Sequence, residues 1–166
     1  MDRRAATTGE ARALAHPLRL RILRLCLDEE LTNKEIADRL GQDPGTTHHH
    51  VRQLLATGFL VAGAVRRGAS GALEKPYRAT GKSWVLEVVD PDARSSLNLA
   101  SLDAVQADIG ERPDAVVGMT RMAFRLAPGD RDELRQRLEE LVEDFKGRDR
   151  PDGEPLGFFF ALHRRP

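Results

Sequence analysis

The chain has 166 residues, with 26 basic and 26 acidic side chains and no net charge. That length holds one domain, or two small ones, with a real core. The single cysteine, Cys26, excludes a disulfide framework and a thiolate metal cluster, and no apolar run approaches the roughly 20 residues of a membrane span.

In chain order, the opening MDRRAATTGE has no apolar core, so it is no signal peptide and reads as a frayed tail. The expected location is cytoplasmic. Residues 9–15 and 17–28 read as helices. Pro17 suits a first helical turn, and Leu18, Ile22, Leu25 and Cys26 follow at helical spacing. Cys26 on that face reads as a small buried hydrophobe rather than a redox sensor, since nothing nearby in sequence lowers its pKa.

Thr32 and Glu35 form a capping box. Ile36, Ala37 and Leu40 give the inward face of a two-turn helix, and Gly41 ends it. Asp43-Pro44-Gly45 starts a second helix, with Thr47, Val51 and Leu54 on its inner face. A small residue followed four positions later by a turn glycine is the helix-turn-helix signature. Gly45, Thr46, His48, His49, Arg52 and Gln53 then face outward. They are small, hydrogen-bonding or cationic, which suits phosphates and base edges. Taken alone, the stretch also fits an ordinary helical hairpin with a polar face.

Phe59–Val65 reads as a strand and Leu73–Thr80 as its return, with a flexible basic tip over 66–71. Pro76 lacks an amide donor, which predicts an edge strand. A hairpin after the second helix is a wing. Its Arg66, Arg67 and Lys75 are candidates for the DNA backbone or minor groove, with a solvated turn as the alternative.

The segments LAHPLRLRIL (14–23, preceded by Ala13), LTNKEIA (31–37), TTHHHVRQL (46–54) and GFL (58–60) resemble the winged helix of ArsR-type bacterial transcriptional regulators. The resemblance covers roughly residues 10–83. It implies a homodimer that binds operator DNA, usually as a repressor, with DNA contact at Thr46, His48, His49, Arg52 and Gln53. Metal-sensing members carry cysteines in the helix that here spans Asn33–Leu40, and this chain has none there. The triplet His48-His49-His50 is no metal site either, because consecutive helical side chains splay about 100° apart. His50 is expected to pack the helix, and His16 and His163 are isolated. No metal and no cofactor are expected.

The second half is less regular. Residues 83–89 read as a short strand or the start of a linker helix. From Asp92 to Glu111 the pattern is helical, with Leu97, Leu99, Ala100, Leu102, Val105 and Ile109 apolar. Met119–Leu126 alternates like a strand. Arg131–Lys146 carries the stripe Leu134, Leu138, Leu141, Val142 and Phe145, and Leu156–Leu162 reads as a buried strand. The expected class is α+β, mainly helical: a winged helix-turn-helix over 1–83 and a helix-strand-helix-strand module over 84–166. Two strands make no stable sheet alone, so the module suggests dimerisation or effector binding. Its phenylalanines fit core packing, a dimer interface or a small-molecule effector pocket.

Charge follows the same division. Residues 1–83 hold 14 basic and 9 acidic side chains, and residues 84–166 hold 12 and 17. An acidic half stays off DNA and orients the basic half toward it. There is no Gly-rich phosphate loop, no H-E-x-x-H and no nucleophile elbow, so an enzyme is not expected. The expectation is a sequence-specific, dimeric DNA-binding repressor without a membrane role. The alternative is a winged helix that docks a protein.

Overall fold

A computed structural model of the chain describes residues 3–68, 71–150 and 152–165. The elements run β1 (Arg4–Ala5), α1 (Thr8–Leu14), α2 (Pro17–Asp28), β2 (Leu31–Thr32), α3 (Asn33–Leu40), α4 (Pro44–Ala56), β3 (Leu60–Ala62), β4 (Arg66–Arg67), β5 (Leu73–Glu74), β6 (Pro76–Ala79), a 3-10 turn (Lys82–Val85), β7 (Leu86–Glu87), α5 (Pro91–Glu111), a second 3-10 turn (Pro113–Ala115) and α6 (Pro128–Lys146). The fold is α+β and mainly helical.

Local chemistry sets the helix ends. Thr7 with Glu10, and Thr32 with Glu35, form reciprocal capping boxes at α1 and α3. Asp43 and Asp90 cap α4 and α5, and Pro17, Pro44 and Pro91 open their helices, where a missing N–H costs nothing. Gly41 closes α3 at φ 60°, the left-handed conformation that suits glycine.

The core lies where α2, α3, α4 and the sheet meet. Ile22, Cys26, Ile36, Ala37, Val51 and Leu54 are fully buried, as are Phe59 and Leu60 to within a percent of their surface. The strands order β2-β6-β3, all antiparallel. Pro76 therefore sits in the central strand, not on an edge. It is tolerated because it occupies the first position of β6, where its carbonyl accepts from the Gly63 amide and no donor is required. The wing continues as β4 paired with β5, and part of the predicted tip, Ala69 and Ser70, lies outside the described residues.

One further expectation is corrected. The described N-terminal residues are not frayed. Arg4 and Ala5 pair in parallel with Leu86 and Glu87, and Arg4 forks onto Glu10 at 2.7 and 3.0 Å. The first compact unit runs on past residue 83. It extends to Pro113, because α5 packs on α2 and α1, where Arg21 donates to Asp108 at 2.8 Å and also pairs with Glu111. That reach gives the unit two apolar faces on α5: Ala100 and Ala104 are buried, whereas Leu99 and Leu102 are exposed.

The second unit begins at Asp114 and contains α6. Neither 119–126 nor 156–162 forms a strand, and the Leu156–Leu162 segment is exposed rather than buried. Phe124, Phe145, Phe158, Phe159 and Phe160 all retain between 42 and 69% of their surface in water, so core packing within one chain is not their role. The alternation is real, but a strand needs a neighbour to complete its ladder.

Candidate nucleic-acid interface

The geometry of α4 follows from its sequence period. Thr47, His50, Val51 and Leu54 are buried at i, i+3, i+4 and i+7, fixing the helix to the core. Gly45, Thr46, His48, His49 and Arg52 are exposed and Gln53 is half-buried, as the period predicts. Asn33 of α3 donates to the Pro44 carbonyl at 2.9 Å, which ties the two helices at their turn. Asp43 accepts from the amides of Gly45 and Thr46 at 2.8 and 3.0 Å, so the helix start is already capped.

On this face the residues differ in availability. Among the described residues Arg52 has no acidic or hydrogen-bond partner, and it lines a shallow depression with His49, Gln53 and Ala56. Gln53 is engaged. Its Oε1 accepts from Arg19 of α2 at 2.6 Å, and its Nε2 lies 2.9 Å from His49 Nε2. In the wing, Arg66 is held by Glu35 at 3.2 Å and Glu74 at 3.8 Å, while Arg67 and Lys75 are exposed. Arg66 must leave those carboxylates to reach a phosphate. The sequence reading overlooked Arg78, which is exposed on β6 opposite Val61.

Beneath α4 lies a polar cluster that sequence reasoning also missed. Arg19 is 8% exposed. Its guanidinium donates to the carbonyls of Ala13 (2.5 Å) and Arg12 (2.7 Å), to Gln53, and more weakly to His50 Nδ1 at 3.4 Å. No carboxylate touches it among the described residues. The carbonyls belong to the last turn of α1, the negative end of that helix, which is how an unpaired cation is tolerated there. Burial lowers the Arg19 pKa. It also lowers that of His50 to about 4, with His16, at a ring-centroid distance of 4.4 Å, and Arg19 adding to the effect. His16 shifts the same way for the same main reason. His50 is therefore neutral at pH 7. A signal for Arg19 existed, since it shares a helical face with Ile22 and Cys26 at i+3 and i+7, both fully buried.

Elsewhere, burial pushes the Cys26 thiol up to about 12, which suits an inert core residue. No group of three or more His, Cys, Asp or Glu among the described residues could hold a metal ion.

Residues 14–61 match the family model described as a helix-turn-helix domain. With β3 and β6 behind it, that domain is a winged helix-turn-helix. No curated protein matches the chain. Among solved structures, reduced HlyU from Vibrio cholerae is similar at 20% identity and TM-score 0.36, covering 53% of this chain and 77% of that one. NolR from Sinorhizobium fredii is similar at 22% and 0.37, covering 58% and 82%. The homodimeric winged helix-turn-helix DNA-binding domain of Mb0332 from Mycobacterium bovis is similar at 24% and 0.35, covering 64% and 82%. Identities and scores are low, and the assignment rests on the helix-turn-helix match and on the geometry of α3 and α4.

Proposed function

We propose that this protein is a sequence-specific DNA-binding transcriptional regulator that works as a homodimeric repressor, with α4 in the major groove. The observation that carries the reading is the outward face of α4. A rigidly anchored helix presents Gly45, Thr46, His48, His49 and an unpartnered Arg52, a set with the size and donors that base edges and phosphates require. Arg67 and Lys75 would add backbone contacts from the wing, joined by Arg66 once it exchanges Glu35 and Glu74 for phosphate. Two subunits would place their α4 helices in half-sites about one helical turn apart, or a multiple of that.

The test is binding of the purified protein to DNA from its own upstream region, against a shuffled competitor, for the native chain and Arg52→Ala. If Arg52 reads a base, the variant binds the operator more weakly by about 1–3 kcal/mol while keeping its fold by circular dichroism. Unchanged affinity would remove Arg52 from the interface. Binding that the competitor abolishes would favour a winged helix that docks a protein instead.

A further inference from the structure

Arg19 lies under α4 and reaches the outer face of that helix through Gln53 alone, and the chemistry of its contacts has one consistent solution. An arginine only donates hydrogen bonds. The Gln53 atom 2.6 Å from Arg19 Nη1 must therefore be the amide oxygen. That fixes the amide, so the group 2.9 Å from His49 Nε2 is the Gln53 NH2, which also only donates. His49 Nε2 must then carry the lone pair, and the ring proton sits on Nδ1. Chemistry buried under α4 thus sets the protonation pattern of a side chain on its exposed face.

The geometry points to Arg19 as a specificity-determining positioning residue: through Gln53 it holds exposed His49 in the Nδ1–H form, so that His49 meets the major groove as a hydrogen-bond donor. A donor there suits an acceptor edge, such as guanine N7 and O6 or thymine O4, and opposes the amino group of cytosine. The opposite tautomer would offer a lone pair and reverse that preference. Arg19 is well placed for this task. Its Nε and Nη2 are anchored on the Ala13 and Arg12 carbonyls, which holds the guanidinium against Gln53. Gln53 is correspondingly a relay more than a reader, because its oxygen is committed and its amino group is shared with His49. The preference for an acceptor edge rests on the proposed DNA-binding reading, whereas the tautomer does not.

The experiment has two arms on the full-length protein. In the first, long-range 15N–1H spectra of the DNA-free protein report each histidine's tautomer. The native protein should show a protonated Nδ1 and an unprotonated Nε2 at His49. Gln53→Glu keeps an acceptor for Arg19 but offers His49 no donor, and so should move the proton to Nε2. A native His49 with a protonated Nε2, or a Gln53→Glu spectrum identical to the native one, overturns the inference whatever the protein does with DNA.

In the second arm, affinity is measured for operators varied at the base pair whose preference disappears in His49→Ala. Arg19→Gln should reduce discrimination at that base pair by about tenfold. The ratio of two affinities cancels any uniform loss of binding. If Arg19→Gln does not fold, Gln53→Glu supplies the same ratio. A ratio that stays at the native value with the tautomer reversed overturns the specificity role. A protein with the predicted tautomer but no sequence-specific binding contradicts the proposed function and leaves the relay itself standing.

Discussion

At the scale of single residues, the cluster of His16, Arg19 and His50 has a measurable cost. His50 titrates near 4 in the folded chain, below the 6.5 of a free histidine, because burial disfavours its charged form. The unfolded chain therefore binds more protons between those values. Stability from this group is fully present above about pH 6.5 and is lost as pH falls toward 4, by at most about 1.4 kcal/mol per pH unit for one proton. The carboxylates held down by hydrogen bonds, such as Glu10 with Arg4 and Lys82, lose their contribution at lower pH still. The urea midpoint should thus fall between pH 7 and pH 5, and His50→Gln should flatten that fall. An equal fall in both proteins would mean that His50 is solvated in solution.

At the scale of elements, the helix-turn-helix depends on the turn between α3 and α4. Gly41 has φ 60° and open space where a Cβ would stand, so Gly41→Ala is strained by backbone conformation alone. The cost should be about 1 kcal/mol of unfolding free energy. A change below a few tenths would mean that the turn relaxes. Gly41 was legible in the sequence, as were the capping box of Thr32 and Glu35, the buried side of α4 and the outward set from Gly45 to Gln53. Each is local, and chain spacing encodes it. What was not legible depends on distant partners. Arg19 meets Gln53 from another helix, Pro76 becomes central because β2 joins β6 from the far side, and Arg4 pairs with a strand near residue 86. The strand pattern of 59–65 and 73–80 marked the wing, but nothing in the local pattern marks α5 as part of the first unit.

At the scale of the molecule, both units leave apolar side chains in water. Leu99 and Leu102 on α5 are exposed, as are Met122, Phe124, Phe158 and Phe160 in the second unit. Exposed apolar side chains in such number are characteristic of an interface, and a second copy of this chain is the partner that the proposed dimer supplies. Phe158→Glu combined with Phe160→Glu should convert the dimer to a monomer in light scattering, with helix content retained. A dimer that survives would move the contact to another surface, with α5 the next to test. If α4 and the wing bind DNA through charge as well as base contacts, as proposed, affinity for upstream DNA as a function of salt measures it directly. With about four phosphates neutralised, affinity should fall about a hundredfold between roughly 50 and 200 mM salt. An affinity for DNA that stays flat across that range, or no binding at either salt, would contradict it.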